Sequence, residues 1–230
     1  MRQVFCRLQG CNLDCVYCDT PAAREEQPYC RIEQAPGTGE FEHRPNPMTA
    51  EDLAAVILAL DAPRGLHHSL AITGGEPLLR AGYLRELLPR VRPHGLQAYL
   101  ETNGVLPEAL EEVLDLVEYV SLDIKLPSAL GGRDVYDLAE QSLRRAARRR
   151  AFVKVVLTAD TAATEVRRAA EVTAGVDAGI PFVLQPASPT PEAPDVAPGS
   201  AQVLALFAVA KERLADVRVI PQVHKQLRLL

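Results

Sequence analysis

Short strand-like runs alternate with helix-like stretches along almost the whole chain, and this alternation restricts the fold more than any single motif does. The runs are "VFCRL" (4–8), "SLAIT" (69–73), "QAYLET" (97–102), "YVSLDIK" (119–125), "FVKVVL" (152–157), "PFVLQ" (181–185) and "VRVI" (217–220). They are rich in Val, Ile and Leu and bounded by Gly, Pro or polar clusters, as strands are. Helical stretches are expected near 49–61, 82–92, 107–117, 134–150, 162–174 and 200–214. In the first, Thr49 and Asp52 suggest a capping box, and Leu53, Val56, Ile57 and Leu60 recur at helical spacing. Pro107 suits a first helical position, Ser200 an N-cap and Gly95 a C-cap. Strand–helix alternation implies parallel βα units. Six units and a final strand fit in 230 residues. A complete eight-unit barrel takes about 250, so an open, partial barrel is expected, as a single domain over 1–230.

Two stretches break the pattern. Residues 21–48 show no periodicity, and 186–199 contain five prolines. Loops of this length are usually functional or plain surface connections, and both readings stand at this stage.

In parallel α/β architectures, ligands bind at the C-terminal ends of the strands. Polar motifs fall there repeatedly: "GCNLDCVYC" after the first run, "GGEP" (74–77) after the second, "ETNG" (101–104) ending the third. "DIK" (123–125) ends the fourth, "QP" (185–186) the sixth, and "PQVHK" (221–225) follows the last. Cys11, Cys15 and Cys18 occupy eight positions. A structural zinc site wants four ligands in a closed tetrahedron, and Cys30 is the available fourth. Cys6 lies mid-strand and reads as a small core hydrophobe. The alternative is an iron–sulfur cluster, which thiolates also hold; three cysteines on a four-iron cube leave one iron open to a chelating ligand.

Charge and targeting signals narrow the setting. Acidic residues outnumber basic ones, 30 to 25, which argues against a general nucleic-acid binder. The basic run "RRAARRR" (144–150) lies near a helix end, where cations suit the dipole, and reads as a solvated face. The first residues lack a signal-peptide core, and no run of about 18 apolar residues occurs. A cytoplasmic protein without membrane partners is expected, and there clustered thiols point to metal chemistry rather than disulfides.

"CNLDCVYC" resembles the three-cysteine signature of the radical S-adenosylmethionine (SAM) superfamily, and "GGEP" stands where that family has its glycine-rich motif. The resemblance implies an α/β fold, a partial (β/α)6 barrel of radical SAM type with an additional C-terminal strand. It also implies that Cys11, Cys15 and Cys18 each bind one iron of a 4Fe-4S cluster whose fourth iron is chelated by SAM. Electron transfer to SAM then yields a 5′-deoxyadenosyl radical that abstracts hydrogen from the substrate. Gly74, Gly75 and Glu76 look like the site for the SAM amino group. Glu101, Thr102 and Asn103 are similar to the family's next contact point, with Glu101 read equally as a partner for loop amides. Lys125 and Gln185, at strand ends, are further candidates for SAM or substrate.

Longer motifs resemble one branch of the superfamily, the 7-carboxy-7-deazaguanine synthases: "CRLQGCNLDCVYCDT", "ITGGEPLL", "LETNG", "VSLDIKLPS" and "PQVHK", in order from residue 5 to 225. The family's pattern also has a QGEG-like loop ahead of the first cysteine, and the ten residues before Cys11 contain none. This resemblance implies conversion of 6-carboxy-5,6,7,8-tetrahydropterin to 7-carboxy-7-deazaguanine with loss of ammonia, for queuosine and related 7-deazapurines. Arg7, Gly75 and His224 would then meet the substrate, and Thr20 would bind Mg2+. Implied partners are the carboxypterin, an electron donor such as flavodoxin or ferredoxin, and a second copy of the chain. Rival expectations are an activating enzyme that acts on a glycine of a partner protein, and a non-catalytic zinc or iron–sulfur module. For Arg7 a surface ion pair, and for Thr20 a loop hydrogen bond, are the plainer roles.

Overall fold

The computed structural model describes residues 2–226, without the side chains of His224 and Gln226. It has two compact units, and the chain passes between them five times. Among the described residues, one unit comprises 2–12, 20–101 and 109–119, the other 13–19, 102–108 and 120–226.

In the first unit, β1 (Gln3–Leu8), β4 (Ser69–Gly74) and β5 (Gln97–Thr102) pair in parallel in the order β1-β4-β5. Leu70, Ala71 and Ile72 of β4 are wholly buried, as befits a parallel strand covered on both faces. In β1, Val4 and Cys6 point into the core while Phe5 and Arg7 are exposed, the period-2 alternation of a half-covered strand. Cys6 is therefore the small core hydrophobe its position suggests, and burial, reinforced by Cys30, pushes its thiol up to about 12.

Helix α1 (Ala50–Leu60) packs against α2 (Ala81–Val91). Thr49 caps α1, its hydroxyl accepting from the Asp52 N–H at 3.1 Å. The face of α1 that is buried is Ala50, Ala54 and Ile57, with Leu53, Val56 and Leu60 only half-covered. The expected stripe is thus rotated toward the small residues, which let α1 approach closely. Leu84, Leu87 and Leu88 of α2 complete this core. Gly95 takes the left-handed conformation expected of a C-cap, at φ 83°.

In the second unit the strand order is β6 (Tyr119–Asp123), β7 (Arg150–Leu157), β8 (Phe182–Pro186), β9 (Val217–Val219), with β9 the additional C-terminal strand, parallel to β8. Helices α4 (Tyr136–Ala146), α5 (Ala163–Asp177) and α6 (Ser200–Lys211) alternate with them, and α7 (Val223–Gln226) closes the described chain. Along the chain, α3 (Pro107–Val113) falls between β5 and β6 and starts on Pro107 as expected. The α/β class with parallel strands read from the sequence is the fold observed. No helix among the described residues is long and apolar enough to cross a membrane.

Two expectations need correction. Residues 21–48 are not irregular: they contain a 3-10 turn (Pro21–Arg24) and an antiparallel hairpin of β2 (Tyr29–Glu33) and β3 (Phe41–Pro45). Among the hairpin residues only Ile32 is buried, so no hydrophobic alternation betrays it. Ser200 is the first residue of α6 and not its cap; Gly199 holds the extended cap conformation, and the Val203 N–H reaches its carbonyl at 3.0 Å. The arginines of the run 144–150 are exposed or half-exposed as expected, whereas Ala146 is buried, with Arg144 on Glu140 at 2.6 Å and Arg145 near Glu108 at 3.6 Å.

The loop from α1 to β4 is organised by a buried carboxylate. Asp61 accepts from the N–H groups of Gly65 and His67 and meets His67 Nδ1 at 3.1 Å. Arg2 Nε donates to His67 Nε2 at 3.2 Å, so His67 carries its proton on Nδ1 and gives it to Asp61. Burial alone would raise the Asp61 pKa, but these hydrogen bonds hold it below the usual carboxylate range. Its contribution is therefore present above about pH 4, the unfolded value, and fades as pH falls through the folded one. Asp61→Asn should cost about 1–3 kcal/mol at pH 7, measured by urea unfolding, with the gap to wild type closing below about pH 4.

Candidate active site

In the first unit, the loop after β1 lies directly on the loop after β4. The Gly75 N–H donates to the Leu8 carbonyl at 3.2 Å and the Glu76 N–H to the Gly10 carbonyl at 2.7 Å. A Cβ on Gly74 would stand 2.1 Å from the Leu8 carbonyl oxygen. One on Gly75 would stand 2.2 Å from the Gly10 oxygen and 2.8 Å from Cys11 Cβ. Only residues without a side chain allow this approach. Gly10 itself turns at φ +97°, which delivers Cys11 to the contact. The glycine pair thus seats the backbone that carries the first cysteine, a duty additional to the one expected of it.

Glu76 is fully buried and caps the 3-10 turn Pro77–Arg80, its Oε1 accepting from the Leu78 N–H at 3.0 Å. Arg80, at the end of that turn, pairs with Glu26. At the end of β5, Glu101 meets the Thr73 hydroxyl at 3.5 Å.

Arg7 and Thr20 come together. Arg7 Nη1 donates to Thr20 Oγ1 at 3.4 Å and to the Gly74 carbonyl at 3.2 Å, and its guanidinium stands 5.1 Å from the Phe5 ring centroid. Arg7 thus makes no carboxylate pair among its described contacts, and its charge rests on neutral oxygens. Thr20 also begins the 3-10 turn whose Ala23 carbonyl accepts from the Gly10 N–H at 2.9 Å. Cys30, the zinc alternative's fourth ligand, lies in β2 with its thiol directed at the Arg44 carbonyl at 3.5 Å.

In the second unit, Cys15 and Cys18 flank a turn closed by the Cys18 N–H on the Cys15 carbonyl at 3.1 Å. Val16, within it, donates from its N–H to the Ala129 carbonyl at 3.1 Å. The Tyr17 hydroxyl accepts from Lys125 Nζ at 3.2 Å, and Lys125 donates to Asp123 Oδ2 at 2.7 Å. Lys154 reaches the other oxygen of Asp123 at 3.2 Å. Burial opposes the Lys125 charge, but Asp123, Tyr17 and Cys15 outweigh it and hold the ammonium well above the usual lysine range. Burial likewise favours the neutral carboxyl of Asp123, and Lys125 and Lys154 reverse that, keeping it ionised. Burial keeps the Tyr17 phenol protonated.

Thr102 and Asn103 are buried and shape their own loop: Thr102 Oγ1 accepts from the Gly104 N–H at 3.3 Å, and Asn103 Oδ1 from the Val105 N–H at 3.2 Å. Gln185 lies on β8 opposite Val156, half-buried near the strand's C-terminal end. His224 falls in α7, and its side chain lies outside what the structure describes. Its neighbours Gln222 and Lys225 both reach Asp19, at 2.8 and 3.4 Å, so the closing motif is tied to the residue after Cys18. Sequence reasoning missed Tyr17, Asp19, Asp123 and Lys154. Tyr17 and Asp19 lie inside the cysteine motif itself, and Asp123 is the first residue of "DIK".

Among the described residues no three Cys, His, Asp or Glu side chains are grouped to hold a single metal ion. A cubane asks for something different, because each thiolate binds its own iron. Cys11, Cys15 and Cys18 are in no disulfide and each is partly exposed, and soft thiolates of this kind are the donors iron–sulfur clusters take.

Comparison with known proteins bears on this arrangement. The family model for the radical SAM superfamily matches residues 6–176. A 7-carboxy-7-deazaguanine synthase of Geobacter sulfurreducens is 45% identical over 226 residues, covering 98% of this chain and 89% of the relative. One of Thermococcus kodakarensis is 34% identical over 240 residues, covering 100% and 90%. Among solved structures, a radical SAM methyltransferase from Sphaerobacter thermophilus superposes with a TM-score of 0.63 at 16% identity, covering 95% of this chain and 65% of that one. The chain thus spans less than two thirds of that solved protein, and the likeness concerns the fold alone. The chain belongs to the radical SAM superfamily and, within it, to the family of the 7-carboxy-7-deazaguanine synthases. A 4Fe-4S cluster and SAM are the cofactors of such an enzyme.

Gly75→Ala should destabilise the protein by about 1–3 kcal/mol through overpacking and strip most of its iron and acid-labile sulfide. Urea unfolding and metal analysis of anaerobically reconstituted protein measure both; wild-type values for the two would show that the Cys11 loop does not rest on this contact.

Proposed function

We propose that this chain is a radical SAM lyase that converts 6-carboxy-5,6,7,8-tetrahydropterin to 7-carboxy-7-deazaguanine, contracting the ring with loss of ammonia. The observation that carries the reading is 45% identity, across 98% of the chain, to a relative named for that product. Cys11, Cys15 and Cys18 would hold the cluster. Gly74, Gly75, Glu76, Glu101, Thr102, Asn103, Lys125 and Gln185 would surround SAM. When bound, cluster and SAM supply one-electron cleavage and hydrogen abstraction; the chain's own residues bind, orient and keep water away.

The substrate carboxylate is assigned to Arg7. Its guanidinium donates to two neutral oxygens, Thr20 Oγ1 and Gly74 O, and exchanging these for a carboxylate gives a charge-assisted, bidentate pair. Thr20 is assigned to Mg2+. Once Arg7 turns to the carboxylate, the lone pairs of the Thr20 hydroxyl oxygen are available to the ion. Magnesium keeps few protein ligands and prefers oxygen, which suits one hydroxyl shared with a carboxylate. Gly75 and His224 complete the substrate set. An external one-electron donor of the flavodoxin or ferredoxin kind, a cytoplasmic setting and a homodimer belong to the same reading.

The test is an anaerobic assay with SAM, a reductant, Mg2+ and the carboxypterin. The expected outcome is 7-carboxy-7-deazaguanine formed with consumption of the pterin, and its loss in Cys15→Ala. SAM cleavage to 5′-deoxyadenosine without a deazapurine would reject the substrate while keeping the superfamily. Thr20→Ala should flatten the response of the rate to Mg2+; an unchanged magnesium titration removes Thr20 from the metal site.

A further inference from the structure

We propose that Lys125 is a positioning charge whose ammonium, set against the turn that carries Cys15 and Cys18, raises the reduction potential of the cluster those cysteines hold. The inference rests on the radical SAM reading above. Lys125 Nζ donates to the hydroxyl of Tyr17, at 3.2 Å, and lies 5.3 Å from the centroid of its ring. Tyr17 is two residues from Cys15 and one from Cys18, inside the turn the Cys18 N–H closes. The ammonium is also buried, so solvent and salt screen it weakly.

That charge is durable and incompletely offset. Asp123 is its counter-ion at 2.7 Å, but Asp123 also meets Lys154 at 3.2 Å. Asp123 divides its charge between two ammonium groups and so does not neutralise Lys125 fully. Tyr17, protonated, offers a dipole and a π face but no charge. Lys125 meets the cysteine turn through Tyr17, by the bond to its hydroxyl at 3.2 Å and the ring face at 5.3 Å. Burying such a pair adds little stability over an apolar packing of the same volume, and stability alone gives no reason for an ammonium at this place.

The consequence follows from charge bookkeeping. Reduction adds one electron from an external low-potential donor to a thiolate-bound cluster; no proton moves, and Lys125 stays protonated throughout. The reduced form is more negative by one charge, so a fixed cation nearby stabilises it more than the oxidised form. Asp123 acts with the opposite sign.

The experiment is an anaerobic redox titration of the reconstituted full chain without substrate, followed by visible absorption and electron paramagnetic resonance. Wild type is compared with Lys125→Met, Lys125→Arg and Asp123→Asn. Lys125→Met should lower the equilibrium constant for reduction about tenfold, a shift of 59 mV to more negative potential for one electron. Lys125→Arg should keep the wild-type value, and Asp123→Asn should move it to more positive potential. An unmoved potential in Lys125→Met, or the same direction of shift in Lys125→Met and Asp123→Asn, overturns the proposal. If Lys125→Met takes up no cluster, the remaining pair decides: Asp123→Asn must shift positive while Lys125→Arg does not shift. Unmoved variants of a cluster-bearing wild type reject this inference alone, whereas a wild type that takes up neither iron nor sulfide rejects the radical SAM reading with it.

Discussion

A methyl group on Gly74 would sit 2.1 Å from the carbonyl oxygen of Leu8, and one on Gly75 would sit 2.2 Å from that of Gly10. Van der Waals contact begins more than 1 Å farther out, so this packing admits glycine alone. Two backbone hydrogen bonds, Gly75 to Leu8 and Glu76 to Gly10, become possible because the strands' ends can touch. Arg7, Thr20 and Cys11 all take their positions from this seam: Arg7 by donating to the Gly74 carbonyl, Thr20 through the turn tied to Gly10, and Cys11 by following Gly10 directly. Buried Glu76 then fixes the direction in which the chain leaves. The glycine motif is first a device for packing one loop on another.

The second unit arranges its cysteines by a different means, with charge in place of close approach. The turn of Cys15 and Cys18 is held by backbone bonds and backed by Tyr17, Lys125 and Asp123. Asp19, immediately after Cys18, draws Gln222 and Lys225 to the same loop, so that the last motif of the chain and the third cysteine share one anchor. Exposed pairs of the latter kind are worth about 0–1 kcal/mol; the buried lysine–aspartate pair is the stronger electrostatic feature, because little solvent screens it.

Much of this was legible in the sequence, for definite reasons. Parallel strands buried on both faces are written as Val, Ile and Leu runs, and β4 is such a strand. Cys11, Cys15 and Cys18 stand out in the sequence as candidates because thiolates at that spacing serve few chemistries. The hairpin of β2 and β3 was not, since its single core residue, Ile32, leaves no alternation to read. Nor was the rotated face of α1, because alanines at 50 and 54 count for little on a hydrophobicity scale yet are what the close packing uses. Lys125 could be placed at a strand end from sequence, but its partners lie 108 residues away in Tyr17 and two away in Asp123, and only folding brings the first of these to it.

The central claim is that three cysteines hold a four-iron cluster whose fourth iron is left for SAM. Mössbauer spectroscopy of 57Fe-reconstituted protein, recorded with and without SAM, tests it most directly. The account predicts that SAM changes the signal of one iron in four and leaves the other three as they were. Four irons indifferent to SAM, or a protein that takes up zinc and no iron, would contradict it.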